Sequence, residues 1–464
     1  MTNRSSWKTV CGILLLCAAT VVASHAQTFT SLVSFNGFNG AYPYYGSLVQ
    51  GTDWNFYGTT YQGGGPGNVF RITREGAVST VHRFCAETGC TDGANPFGGL
   101  VLGADGSVYG TTSGGGTAGL GTVFKITPNA KLKTLHSFNR IDGAIPIGTL
   151  IQATDGNFYG TTSQGGSNND GTVFKISPDG MLTTLYIFCA QPNCTDGVSP
   201  IAGLVEGTDG NFYGTTIKGG LNNKDSGTVF RIARTGTLTM LHSFNGRDGA
   251  NPYGGLVQGN ESLYGTTESR GPNGGGTIFK ITSQGTFATV YGFGVENTYP
   301  VDGLIAGTDG NLYGTTSKGG AGSNLGTVFN LGSGGTVTTL HSFDTTDGAN
   351  PYGSLVQSTN GDFYGTTRVG GAEGYGTVFT LSMGLAPFVR MVSTSGRVGQ
   401  TGGILGQGLT GTTSVSFNGT AAPFTVVSDT FLKATVPAGA TTGYVTVTTP
   451  SGTLTSNVPF HVLP

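Results

Sequence analysis

Asp209-Gly210-Asn211-Phe212-Tyr213-Gly214-Thr215-Thr216 is the stretch whose reading decides the fold. Its core, an aromatic or aliphatic residue followed by Tyr-Gly-Thr-Thr, occurs seven times, with the tyrosines at Tyr57, Tyr109, Tyr159, Tyr213, Tyr264, Tyr313 and Tyr364. The spacing stays close to fifty residues, and a fixed period of that size marks a repeat architecture. Outward from the motif, each unit reads as four short strand-like runs. In the fourth copy these are Gly203–Gly207, Asn211–Thr216, Thr228–Ile232 and Thr237–Phe244. The runs are rich in β-branched and aromatic residues and bounded by Gly, Asp and Asn, as strands are. Asp-Gly between the first two runs is a hairpin signal, because that turn needs positive φ.

Four strands per repeat, seven repeats and apolar residues on both faces of runs such as Val229-Phe230-Arg231-Ile232 predict an all-β, seven-bladed β-propeller. Its ends carry a second signal. The seventh copy runs out after Gly376–Leu381 without a fourth strand, while Phe29–Phe35 matches fourth strands such as Thr338–Phe343. The N-terminal strand is therefore expected to complete the last blade and remove an open sheet edge. Beyond Ala386 the repeat stops and short alternating runs follow (Ser414–Phe417, Phe424–Val427, Lys433–Val436, Tyr444–Val447). These predict a small immunoglobulin-like β-sandwich. The expected domains are a signal peptide (1–26), the propeller (27–385) and the sandwich (386–464).

Composition narrows the function classes. Glycine numbers 84 residues in 464, charged residues make up 10% and the net charge is −2. That leaves no basic field for nucleic acid. Arg4 and Lys8, the apolar run Cys11–Ala23 and Ser24-His25-Ala26 read as a secretory signal cleaved after Ala26. Cys17 follows Leu16 rather than a small residue, which disfavours lipidation. No later segment has the ~18 apolar residues of a transmembrane helix. The expected chain is exported, secreted or held at the cell surface. Cys85–Cys90 and Cys189–Cys194 repeat one Cys-x4-Cys pattern at the same place in two copies. In an exported protein that spacing predicts two local disulfides rather than a zinc site.

The repeat, as in Thr154–Thr162 followed by Gly171–Ile176, resembles the GloVer tandem repeat of exported bacterial proteins, over roughly residues 29–383. That resemblance implies export but no activity, and the hydrophobic C-terminal anchor of some members has no counterpart here. The tail, through Val426–Gly443 and Thr448–Gly452, resembles an IPT/TIG domain, which implies a spacer or adhesive module.

Candidate site residues divide by whether the repeat explains them. His82, His136, His242 and His341 share one fourth-strand slot with Tyr186, Tyr291 and Val33, which reads as a packing position. Asp53, Asp105, Asp155, Asp209 and Asp309 sit in the hairpin turn, where turn chemistry accounts for them. Asp92, Asp142, Asp196, Asp248 and Asp347 precede Gly in the loop crossing to the next blade. They read as Asx turns, or alternatively as a carboxylate ring able to hold Ca²⁺. The loop after Thr-Thr varies most between copies and emerges on the same face as the crossing loop. That face is the expected recognition surface, with Tyr61, Asn222, Asn223, Arg270 and Tyr375 as candidate contacts for an extracellular glycan or protein. No catalytic residue stands out. An enzyme should gather non-repeat acids and bases at the channel mouth, and Glu206, Glu261, Glu268 and Arg270 are scattered along the chain. The leading expectation is a non-catalytic binding or adhesion module. A carbohydrate-active glycosidase or lyase comes second, and a structural envelope spacer third.

Overall fold

The computed structural model describes residues 27–463 apart from 222–224, 260, 295–298 and 323; the signal-peptide reading of 1–26 lies outside the described residues. Among the described residues the chain is all-β, with only two single-turn 3₁₀ segments. Seven of its antiparallel sheets have four strands and carry one copy of the motif each. The first sheet consists of Val49–Gln50, Phe56–Thr60, Asn68–Ile72 and Val78–Arg83, in chain order. The second to sixth repeat that order. The seventh contains Val356–Gln357, Phe363–Thr367 and Thr377–Ser382, and its fourth strand is the N-terminal Thr28–Ser34. Thr28 pairs with Ser382 and Ser34 with Thr377.

Each residue of the recurring motif has a separate task. Tyr213 Oη donates to the Asp209 carboxylate at 2.8 Å, closing the hairpin turn, and Tyr57, Tyr109, Tyr159 and Tyr313 do the same with Asp53, Asp105, Asp155 and Asp309. Gly214 lies under Phe230 of the third strand; a Cβ there would come within 2.6 Å of the ring and 2.8 Å of Leu204. The first threonine reaches out of its sheet, as Thr161 Oγ1 donates to Ala202 O and Thr59 Oγ1 to Gly98 O, both at 2.9 Å. The second threonine bonds its counterpart on the third strand, Thr216 to Thr228 at 2.8 Å. The motif is therefore a turn clamp, a packing hollow and two stitches.

Packing runs from sheet to sheet. Tyr109, Val123 and Phe138 of the second sheet share a core with Leu150, Phe158 and Phe174 of the third. Equivalent cores join every later pair. The seventh sheet packs on the first through Val356, Tyr364, Val378 and Phe35 against Leu48, Phe56 and Phe70. The first packs on the second through Val69 and Phe84 against Leu100 and Phe124.

Residues 386–463 hold two further four-stranded sheets and a short parallel pair, Ser395–Arg397 with His461–Leu463. Their core is separate and includes Val389, Ile404, Phe417, Leu432, Val447 and Phe460. This unit sits on the hairpin-turn side of the seventh, first and second sheets. Phe388 N donates to Thr359 O at 3.0 Å, Arg390 Nη2 to Gln357 O at 2.7 Å and Thr430 Oγ1 to Thr52 O at 3.1 Å. Leu405 adds its side chain to the core between the first and second sheets. The opposite, loop-bearing side is left free of it.

Candidate functional site

The loop side is built by a repeated backbone splice. The residue after Thr-Thr donates its N–H to the carbonyl of the residue before proline in the crossing loop: Tyr61 to Tyr42, Ser113 to Asn95, Ser163 to Ile145, Ile217 to Ser199, Glu268 to Asn251, Ser317 to Tyr299 and Arg368 to Asn350, at 2.8–3.3 Å. In six of these crossing loops the residue before proline has φ between 53° and 57°. Even Ile145 is held this way, a costly conformation for a β-branched side chain. Two columns of side chains result, one after Thr-Thr and one after proline.

Those columns are not uniform. After proline stand Tyr44, Phe97, Tyr253 and Tyr352 in the first, second, fifth and seventh copies, but Ile147, Ile201 and Val301 in the others. The first copy has an additional tyrosine, Tyr45. Tyr44 lies 4.7 Å from Phe97, 5.6 Å from Tyr352 and 5.7 Å from Tyr61 between ring centroids. Tyr45 lies 5.6 Å from Tyr352 and, ring parallel to ring, 6.3 Å from Tyr253. Residues of the first, second, fifth and seventh copies thus meet in one cluster, at the mouth of the loop side.

Charged side chains enter the same cluster. The Arg368 guanidinium stands 4.6 Å over the Tyr44 ring and 5.8 Å from that of Tyr352, a cation–π arrangement. Its buried Nε has no hydrogen-bond partner. Lys318 lies 5.3 Å over the Tyr299 ring. Burial raises the pKa of Glu268, with Lys318 opposing. Asp302 occupies a column that is otherwise Gly46, Gly98, Gly148, Ala202, Gly254 and Gly353. Its side chain keeps partial access to solvent, yet protein encloses it on most sides, as for a group lining a narrow opening. That burial pushes its pKa up to about 7, against hydrogen bonds from Gly303 N–H and Ser354. Burial, with the nearby Tyr253, Tyr352, Asp302 and Glu268, also drives the Tyr45 hydroxyl well above the usual phenol range. The mouth is thus aromatic and charged toward the fifth, sixth, seventh, first and second sheets, and plain toward the third and fourth.

Of the candidates read from sequence, Tyr61 is in this cluster, 5.4 Å from Phe97. Tyr375 lies farther out, 5.8 Å from Tyr42. Arg270 is exposed in the loop after the fifth Thr-Thr, at φ 59°. Asn222 and Asn223 lie outside the described residues. Glu206 is occupied by Arg234 and Thr154, and Glu261 is exposed. Glu268 alone of the scattered acids reaches the mouth. Asp302, Arg368, Lys318, Tyr44, Tyr45, Tyr253 and Tyr352 escaped the sequence reading, although an alignment of the two columns would have exposed them.

The five crossing-loop aspartates have local tasks. Each carboxylate takes a hydrogen bond from the fourth-strand slot: His82 to Asp92, His136 to Asp142, Tyr186 to Asp196, His242 to Asp248 and His341 to Asp347, at 2.8–3.0 Å. Where the slot holds Val33, the loop has Asn39, so pair and slot change together. These aspartates do not gather into a group of three among the described residues. The one group that does is Asp170 with Cys189 and Cys194. Both expected cysteine pairs are disulfide-bonded, so those two sulfurs offer no thiolate. Burial works to raise the Asp248 pKa, but His242 and the Asn245 N–H hold it below the usual carboxylate range. That share of stability is present at neutral pH and is lost as the pH falls below about 4. Replacing Asp248 with alanine strands the His242 and Asn245 donors and should cost about 1–3 kcal/mol in urea unfolding at pH 7.

An all-β chain of tandem four-stranded antiparallel sheets, with one decorated mouth, defines the class of protein. The chain belongs to the Gloeobacter/Verrucomicrobia repeat family, whose model matches residues 19–224, 104–321 and 203–425. Among proteins of curated function, none matches the sequence. Solved structures similar to it include a protein of unknown function from Bacteroides thetaiotaomicron, at 15% identity and TM-score 0.43, covering 77% of this chain and 76% of that one. A gluconolactonase from Xanthomonas campestris is similar at 11% identity and TM-score 0.40, covering 77% and 90%. At those scores neither likeness bears on what this chain does.

Proposed function

We propose that this chain is an exported glycan-binding protein: a seven-bladed β-propeller closed by Thr28–Ser34, followed by an immunoglobulin-like domain of IPT/TIG type over 386–464, binding sugar at the axial mouth of its loop face. One observation carries the reading. The positions where copies depart from the repeat converge on that mouth, and the departures are tyrosines, two acids and an arginine. A concave site with mostly apolar walls and a few convergent polar groups is the usual form of a small-ligand site. Tyrosine offers a flat apolar face for a sugar ring and a hydroxyl for its oxygens, and the carboxylates and guanidinium suit hydroxyl and carboxylate groups.

A glycan array probed with residues 27–464 tests this. Binding should weaken at least tenfold, about 1.4 kcal/mol, in Tyr352→Ala, with little change in melting temperature. A hit on a protein ligand alone would replace sugar as the partner.

A second reading, a glycan-cleaving enzyme, is favoured by Asp302. A carboxyl that titrates near neutrality, with Glu268 also near Tyr45, suits proton transfer. Polysaccharides that bind should then be degraded, and Asp302→Asn should abolish release without abolishing binding. Binding without release leaves the first reading; neither leaves a structural spacer.

A further inference from the structure

One interface between sheets differs from the others at two positions. The motif tyrosine of one sheet stacks on the residue opening the second strand of the next: Tyr109 on Phe158, Tyr159 on Phe212, Tyr313 on Phe363 and Tyr364 on Phe56, with centroids 4.0–4.1 Å apart. Facing Tyr57, the second sheet has Val108, the smallest residue at that position in any copy. Leu263 and Leu312 stand there in the fifth and sixth sheets.

The second difference is in the turn between third and fourth strands. There Gly76, Gly180 and Gly236 tuck against a carbonyl of the preceding sheet's outer strand, Leu32, Leu135 and Leu185 respectively. A Cβ on any of the three would lie 2.5 Å from that oxygen. The second sheet has Ala130 instead, at φ 57°, with a methyl group that the close approach at the three glycines would not admit, and it lines the same cleft as Val81.

The two changes open a cleft of about 310 Å³ lined by Tyr57, Val81, Leu102, Val108, Ile126 and Ala130, with Arg71 and Asp53 at its polar end. The Asp53 carboxylate is already engaged by Tyr57 Oη at 2.9 Å and Asn55 Nδ2 at 2.6 Å. Arg71 is exposed beside it. Burial, then the neighbouring Asp53, raises the Tyr57 pKa to about 12, so the ring presents a neutral face.

We propose that this cleft between the first and second sheets binds a small aromatic carboxylic acid, its ring lying on Tyr57 where other interfaces place a phenylalanine and its carboxylate meeting Arg71. A planar ring fits because four other interfaces hold a phenylalanine ring stacked on the motif tyrosine at this place. An anion fits because Arg71, hydrogen-bonded to Tyr57, is the cationic side chain of the lining. The site is on the turn side of the sheets, away from the axial mouth, and is independent of the glycan reading.

Isothermal titration of residues 27–464 with 4-hydroxybenzoate tests it, with phenol as the uncharged control. Saturable binding is expected, weaker for phenol and for Arg71→Gln. Val108→Phe should reduce binding at least tenfold while melting no lower than the native chain, because its ring takes up the stacking seen at the other interfaces. Ala130→Gly should also weaken binding by letting the turn close, and it decides the matter if Val108→Phe does not fold. No binding by the native chain, or undiminished binding by the folded cleft-filling variants, overturns the proposal.

Discussion

A chain lacking residues 28–35 should lose its cooperative unfolding transition near the native melting temperature. The segment supplies the fourth strand of the seventh sheet. With it go Phe35, fully buried among Leu48, Phe56 and Phe70, and Phe29, stacked 3.5 Å from His341. Truncating one buried phenylalanine typically costs 3–5 kcal/mol. Losing the whole strand also exposes the Thr377–Ser382 edge, and the sum approaches the ~5–15 kcal/mol that stabilises a typical domain. Scanning calorimetry of the deletion, beside Phe35→Ala, measures both. Phe35→Ala should cost about 3–5 kcal/mol. A deletion that melts like the full chain would show that the last sheet stands without its N-terminal strand.

The second large effect depends on pH. The Asp302 carboxyl titrates at about 7 in the folded chain against 3.8 ordinarily. An acid whose folded pKa is raised destabilises the fold once it ionises. Between about pH 4 and 7 the folded state holds the proton that the unfolded state has released, so stability falls as pH rises and levels off above 7. The shift corresponds to an effect on the order of 4 kcal/mol, less any part that solvent at the mouth screens. Asp302→Asn keeps the shape and cannot ionise. It should come within about 1 kcal/mol of the native chain at pH 4.5 and exceed it by a few kcal/mol at pH 8 in urea titrations. Equal stabilities at both pH values would mean that Asp302 is well solvated. Ligand affinity should follow the same window if the ionised form contacts the sugar.

Much of the architecture could be read from the chain because the repeat performs the comparison that an alignment would. Tyr-Gly-Thr-Thr announced a strand in each of seven copies. The likeness of Phe29–Phe35 to Thr338–Phe343 announced the pairing of the two ends. The aromatic mouth was harder to see because it is assembled from residues about fifty or more apart that meet only in the fold. Asp302 illustrates the difficulty. In sequence it is an acid within Pro300-Val301-Asp302-Gly303, ordinary for a turn. Its oddity appears only beside six copies with glycine or alanine, and its raised pKa follows from burial that no local pattern records. The aspartate–histidine pairs lay between these extremes. The joint change of Val33 and Asn39 encodes them, but single columns read as packing and turn residues do not reveal a bond between two columns.

Pairing Thr28 with Ser382 also sets the order of assembly. Thr28–Ser34 is synthesised some 350 residues before the strand it pairs with. At about 5–20 residues per second that is a wait of roughly twenty to seventy seconds. During it a short segment carrying Phe29, Leu32 and Phe35 waits for the strand it pairs with. Final docking is a long-range event, slow by nature. Until Thr28–Ser34 docks, the Thr377–Ser382 edge it covers stays open to misassociation.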